Sequence, residues 1–474
     1  MFDNIHEECG VFGIFEPNPT NVEEITYLGL YALQHRGQEA CGIAVCDDGV
    51  FRQHKGIGLV SEVFDTDILN SLGNGNMAIG HVKYSKSKIT NLNNIEPLVV
   101  RHIKGNLAIS HNGCLTNASE LRSHFELNGA IFHTTSDAED IAYSIVRERL
   151  QSRSIENAVE VAMYNLKGAY SCCLMSPTKL IAFRDPHGFR PLSLGITKTG
   201  GYVVASETCA IDAVGAKFLR DILPGEILEI SEEGLKSIKT HSEKKKSFCI
   251  FEYFNFARPD SVVEGTCVYK ARKKAGMILA KESPVDADVV IGVPESGLDA
   301  AVGYSIESKI PYEFGFIKNK YLGRGFIKNA DDENAFTAEI KLNVIKESVE
   351  NKRVILIDDT ILSGVTLSRI IKLLKNAGAK EVHVRISSPA YKHPCYFGSN
   401  IDSRDNLIAN KFKSEKEIAD FIGADSLAYL SIDGAKSITD SKELKFCDGC
   451  FTGEYPVEVP KNEEQNIFEQ KINR

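Results

Sequence analysis

The stretch RVILIDDTILSGVT, residues 353–366, decides the fold of half of this chain. Val354 to Ile357 run without a polar interruption, as a strand buried on both faces requires. Two acids, three hydroxyl residues and a glycine then make a tight loop, and helical spacing resumes over 366–376. Apolar runs at 288–293 and 381–387 flank this stretch and alternate with helical segments. That alternation predicts βαβ units and a parallel sheet. Ligands of such sheets bind beyond the carboxyl ends of the strands. There the loop offers backbone N–H groups, the hydroxyls of Thr360, Ser363 and Thr366, the turn at Gly364, and a helix N-terminus. This set suits a phosphate monoester. Asp358 and Asp359 suit ribose hydroxyls and a hydrated Mg²⁺. An acidic turn that only caps a helix uses the same residue types.

The first half reads differently. Short apolar runs at 77–80, 107–110, 169–175, 180–184 and 202–206 are separated by turn signals. Helices are expected over 22–34, stopping at Gly37, and over 137–150, capped by Ser136. Stacked sheets covered by helices follow from that alternation. Residues 242–247, with three consecutive lysines, read as a solvated connector. The division expected is a leader at 1–8, one domain over 9–240, a second over 249–460, and a polar tail at 461–474. No internal repeat is found.

At 474 residues, one core cannot serve the whole chain. A 43% hydrophobic and 25% charged composition is that of a globular protein. The net charge of −9 argues against nucleic acid as a partner. No apolar run is long enough to span a membrane. The first residues lack the basic and apolar regions of a signal peptide. Twelve cysteines without such a signal point to a reducing, cytoplasmic setting, where cysteine clusters bind metal or act in catalysis.

Cys9 opens the motif CGVFGI, residues 9–14. If residues 1–8 are removed, Cys9 carries a thiol and a free α-amine side by side. An α-amine titrates at about 7.7–8.0, so it can serve as the thiol's general base near neutral pH. A small buried thiol near a strand is the plain alternative. Cys447 and Cys450 form a C-x-x-C, which alone reads equally as a zinc half-site or a redox pair.

The 353–366 stretch resembles the phosphoribosyl pyrophosphate loop of type I phosphoribosyltransferases. VPESG, residues 293–297, resembles that family's pyrophosphate loop, with Ser296 and Gly297 at the diphosphate. Lys341 resembles its phosphate-contacting lysine. The resemblance implies Mg²⁺ at Ser296, Asp358 and Asp359.

With the first half added, the chain resembles the glutamine phosphoribosylpyrophosphate amidotransferases from Cys9 to about Glu458. The motifs carrying this are CGVFGI (9–14), LYALQHRGQEACGI (30–43), SHNG (110–113), TTSD (134–137), RDPHGFRP (184–191) and FEYFNFARPDS (251–261). The resemblance implies an α/β and α+β architecture: an N-terminal-nucleophile αββα glutaminase sandwich, then a type I phosphoribosyltransferase domain. It implies that Cys9 attacks the glutamine amide, that Asn112 and Gly113 form the oxyanion hole, and that Asp137 holds the α-ammonium. It implies a structural [4Fe–4S] cluster on Cys249, Cys395, Cys447 and Cys450. That variant of the family also carries a removable leader. Purine nucleotide feedback inhibitors and a homo-oligomer, dimer or tetramer, are further implications.

Four positions depart from the family pattern. Lys83 stands where relatives grip the glutamine α-carboxylate with arginine, and lysine cannot make the same planar two-point contact. KSKIT at 86–90 replaces a glycine-rich lid. Ser363 replaces an arginine of close relatives. The loop beginning YLGRGFIK at 321–328 lacks the usual Pro, Gln and Arg over 329–335. An ammonia-dependent or regulatory relative with impaired glutamine use is the alternative these departures raise.

Overall fold

The computed structural model describes residues 9–84, 91–242, 245–318, 342–399, 404–441 and 444–460. The leader 1–8, the 86–90 segment, the 321–335 loop, Lys341 and the tail 461–474 lie outside the described residues.

In the first half, two antiparallel sheets stack face to face. The seven-stranded sheet runs Lys217–Asp221, Ser193–Ile196, Tyr202–Ala205, Gly10–Thr20, Gly75–Lys83, Ala40–Asp47, Val50–Ile57. The six-stranded sheet runs Gly234–Ile238, Ile227–Ser231, Leu180–Arg184, Gly168–Met175, Gly105–Leu115, Leu98–His102. Side chains alternate along each strand, so every strand has an inner and an outer set. Val11, Phe15, Met77 and Ile79 from the first sheet meet Ala108, Cys173, Met175 and Leu180 from the second. The outward Phe12 and Ile14 instead pack under the helix Val22–Ala32. Gly29 lets that helix sit close, because a Cβ there would stand 2.4 Å from the Phe12 ring. Helices Asp137–Gln151 and Ile155–Ala162 cover the outer face of the second sheet. This is the expected αββα sandwich, and the Ser136 hydroxyl does cap the Asp137 helix by accepting from Ala138 N at 3.3 Å.

The second half holds a parallel sheet ordered Val289–Gly292, Arg353–Asp358, Glu381–Ile386, Ser426–Tyr429. The central strand is buried on both faces, as its sequence requires. Ile355 and Ile357 pack with helices Val268–Glu282 and Leu298–Ser308. Val354 and Leu356 pack with helices Val365–Asn376 and Glu415–Ile422. Observed bounds differ from the expected ones chiefly at strand ends. The 77–80 and 107–110 runs extend to Gly75–Lys83 and Gly105–Leu115, because the ladder continues through polar residues that face the site.

The connector leads into the short strand Phe248–Cys249, which pairs in parallel with Phe446–Cys447. The start of the second half is thereby tied to its end.

Candidate active sites

Cys9 directly precedes the Gly10–Thr20 strand. The next residue, Gly10, faces Val82 across the ladder, which puts Cys9 beside Lys83. The Cys9 carbonyl accepts from Arg36 Nε at 3.4 Å. Burial pushes the Cys9 thiol up, Lys83 and Arg36 oppose this, and the Glu96 carboxylate adds to it. The Lys83 ammonium donates to Asn94 O at 2.6 Å. Asn94 in turn exchanges two hydrogen bonds with Thr135, at 2.7 and 2.9 Å, so Lys83 is tied to the TTSD segment.

Asn112 is fully buried, and neither atom of its side-chain amide has a partner among the described residues. Buried amides are nearly always paired, so this one calls for a partner beyond the described protein atoms. Gly113 has φ +135°, and a Cβ there would lie 2.2 Å from Ala169 O, so only glycine fits. Asp137 is the first residue of its helix. One carboxylate oxygen accepts from Leu115 N at 2.7 Å, which joins it to the strand that carries Asn112.

The second constellation lies at the carboxyl end of the parallel sheet. Ser296 Oγ donates to Asp358 Oδ1 at 2.9 Å, so the 293–297 and 353–366 loops touch. The Pro294–Glu295 peptide is cis. Gly297 sits against the central strand, where a Cβ would stand 2.1 Å from Ile357 O. Burial, and then the neighbouring Asp359 carboxylate, push the Asp358 carboxyl well above the usual range. A buried acid pair of this kind favours a cation between its members. The Thr360 hydroxyl is buried without a partner among the described residues. Ser363 Oγ accepts from Val365 N at 3.4 Å, and Gly364 caps the twelve-residue helix Val365–Asn376 with φ +85°. Thr366 lies in the first turn of that helix.

A third group belongs to neither constellation. Cys249, Cys395, Cys447 and Cys450 line one cavity together with Arg190 and Tyr391. All four thiols are free. Burial raises Cys249 to about 11 and pushes Cys447 and Cys450 well above the usual thiol range, and each of these three is pushed up by other sulfurs of the set. Among the described residues, no three His, Cys, Asp or Glu side chains come close enough to share one metal ion.

A glutamine amidotransferase domain model matches residues 85–213, and a phosphoribosyl transferase domain model matches 269–398. The amidophosphoribosyltransferase of Archaeoglobus fulgidus is 44% identical over 457 residues, which are 96% of this chain and 99% of that protein. The Bacillus subtilis amidophosphoribosyltransferase is 44% identical over 460 residues, 96% of this chain and 95% of its own. The chain belongs to the amidophosphoribosyltransferase family. Among solved structures, the B. subtilis glutamine phosphoribosylpyrophosphate amidotransferase complexed with ADP and GMP matches with a TM-score of 0.88 and 44% identity, covering 96% of this chain and 98% of that one. A structure described as the allosteric regulatory enzyme of purine biosynthesis matches at 0.90 and 44%, covering 96% and 97%.

This amidophosphoribosyltransferase chain also uses residues that its motifs contain but whose part the sequence did not reveal. Arg36, in LYALQHRGQEACGI, donates to Glu207 Oε1 at 2.6 Å. Glu252, in FEYFNFARPDS, sits between Arg36 and Arg190. Asn255, three residues on, donates its side-chain amide to the Asp359 carboxylate. Glu96 and His81, inside the first half, stand in none of these motifs. Only closeness in space brings such pairs together, and no local pattern could announce them.

Proposed function

We propose that the chain hydrolyses glutamine at Cys9 and transfers the ammonia to phosphoribosyl pyrophosphate, giving 5-phosphoribosylamine, glutamate and pyrophosphate, the first step of purine synthesis. The observation that carries the glutaminase half is the fully buried Asn112 side-chain amide, which has no partner among the described residues. Removal of residues 1–8 frees the Cys9 α-amine. That amine takes the thiol proton, which matters because burial makes the thiol a reluctant acid. The sulfur adds to the amide carbon, and the oxyanion is received by Asn112 Nδ2 and the Gly113 N–H. The protonated amine returns its proton to the leaving ammonia, and water then hydrolyses the thioester. Asp137 holds the α-ammonium and Lys83 the α-carboxylate of the substrate.

In the second domain the 293–297 loop receives the diphosphate through backbone amides and Ser296. Thr360, Ser363, Gly364 and Thr366 receive the 5-phosphate, and Lys341 contacts phosphate. Ammonia adds to the anomeric carbon as pyrophosphate leaves. Mg²⁺, held by Ser296, Asp358 and Asp359, would supply charge neutralisation of that leaving group. Cys249, Cys395, Cys447 and Cys450 fit a [4Fe–4S] cluster by donor type and by their shared cavity. Its contribution when bound would be structural, taking one bond from each cysteine sulfur and fastening 249 to 395 and 447–450. Purine nucleotides are proposed as inhibitors and a homo-oligomer as the working form, in a cytoplasmic setting.

The test is an assay of the purified chain with glutamine and, separately, with ammonium. Product and pyrophosphate from both donors are expected. Activity with ammonium alone would favour the paralogue reading that Lys83 motivates. Mass spectrometry of the active chain should find Cys9 at its N-terminus.

A further inference from the structure

We infer that Glu96 is a positioning residue of the glutaminase pocket, one carboxylate that sets the oxyanion-hole backbone and the helix carrying Asp137 at the same time. The inference rests on the reading of Cys9, Asn112, Gly113, Lys83 and Asp137 given above.

The ladder between Leu98–His102 and Gly105–Leu115 ends at the pair Leu98 and Ile109. Two residues further along, the N–H of His111 is met by a side chain instead of a strand: it donates to Glu96 Oε2 at 2.7 Å. The carbonyl of the same residue accepts from His81 Nε2 at 3.1 Å. A carbonyl can only accept, so this ring nitrogen carries the proton. Both polar groups of His111 are thus fixed by side chains from other segments. Asn112 and Gly113 follow at once, so their aim depends on that residue.

The second oxygen of Glu96 accepts the Ser136 hydroxyl at 2.7 Å. Ser136 is the cap of the Asp137–Gln151 helix. Glu96 therefore joins the cap before Asp137 to the backbone before Asn112. The two residues before it are also held: Lys83 Nζ donates to Asn94 O at 2.6 Å, and Lys55 Nζ to Ile95 O at 2.9 Å. Glu96 itself is 3% exposed. Burial alone would raise its carboxyl, but His81, Lys83, His111 and Ser136 together hold it below the usual carboxylate range. It is a charged acceptor of two hydrogen bonds, and such bonds are stronger and better aimed than neutral ones.

Glu96→Ala removes both bonds and leaves a buried N–H unpaired. Glu96→Gln keeps a carbonyl oxygen for His111 N–H, while its amide can donate to Ser136 Oγ. Steady-state kinetics on the full chain with glutamine and with ammonium separates the possibilities. In Glu96→Ala, glutamine-dependent kcat is expected to fall about a hundredfold or more and KM for glutamine to rise, with the ammonium-dependent rate within about twofold of the parent. In Glu96→Gln, kcat with glutamine is expected to recover to within about tenfold of the parent, because one oxygen still receives the His111 N–H. A glutamine-to-ammonium rate ratio unchanged in Glu96→Ala, a parallel loss of both activities, or equal losses in the two variants would overturn the role. A parent chain that uses ammonium but not glutamine would overturn the pocket reading itself, and Glu96 with it.

Discussion

Arg36 holds both carboxylate oxygens of Glu252, at 3.0 and 2.8 Å, across a separation of 216 residues. Both side chains are fully buried. Arg190 reaches Glu252 from the other side at 3.3 Å, and Arg36 also binds Glu207 at 2.6 Å. Two guanidiniums from the first half of the chain thus meet one acid that follows the connector. Glu252 begins the π-helical turn Glu252–Phe256, whose Asn255 touches Asp359. One short segment therefore joins the backbone of Cys9, through Arg36, to the acidic loop of the second site.

Breaking that pair should be expensive. Glu252→Ala takes the shared carboxylate from two buried guanidiniums, leaving Arg36 with Glu207 alone, and removal of one partner of a buried pair costs about 3–5 kcal/mol. Urea unfolding should show a loss of this size. A loss under about 1 kcal/mol, the scale of an exposed pair, would mean that the guanidiniums find other acceptors.

His81 makes stability depend on pH. Burial pushes its ring down to about 4, so it is neutral in the folded chain at pH 7. The unfolded ring titrates near 6.5. Between these values the unfolded state binds more protons, so stability falls as pH drops from about 6.5 to 4. The full effect is at most about 3.5 kcal/mol, because a tenfold change in proton affinity corresponds to about 1.4 kcal/mol. Unfolding free energies measured from pH 7 to 4.5 should fall less steeply in His81→Gln than in the parent. Parallel curves would show that another group carries the dependence.

The strand 353–358 was legible because a strand buried on both faces must be apolar throughout, and its loop had to hold charge. The αββα half was legible through its alternation and through the capping Ser136. Cys9, Asn112, Gly113 and Asp137 could be singled out because each lies in a dense motif. Glu96 was not, since NNIEPLVV reads as an ordinary polar turn before an edge strand. A carboxylate's burial is decided by what folds over it, here His111, Ser136 and His81 from three distant segments. Glu252 was hidden for the same reason: its partners lie 62 and 216 residues away.

Asn112→Ala tests the oxyanion hole. Its amide has no partner to lose among the described residues, so folding should be little affected. Removal of one such donor typically lowers kcat by about 10²–10³-fold. Glutamine-dependent kcat should fall on that scale while the ammonium-dependent rate holds. A fall in both rates would point to a structural part for the amide.

Lys83→Arg tests the departure at the α-carboxylate. Lys83 spends one donor on Asn94 O. A guanidinium can keep that bond and still present a planar pair to a carboxylate. One added charged hydrogen bond is worth about 1.5–3 kcal/mol at most, so KM for glutamine should drop roughly tenfold or more. An unchanged KM would show that the ammonium already meets the substrate fully.

The four cysteines give the last prediction. Burial and neighbouring sulfurs push the Cys249, Cys447 and Cys450 thiols up, so these three gain nothing as thiolates unless a cation joins them. Arg190 lowers Cys249 and Cys447, but one guanidinium cannot offset four negative sulfurs. An iron–sulfur core would bring positive charge to all four, one iron–sulfur bond to each. Anaerobically purified chain should contain iron and acid-labile sulfide in about equal amounts, about four of each per chain. Cys447→Ser should lose most of both and unfold at lower temperature, since Cys447 also anchors the strand pair with Cys249. Zinc in place of iron, or iron retained in Cys447→Ser, would remove the cluster from these four residues.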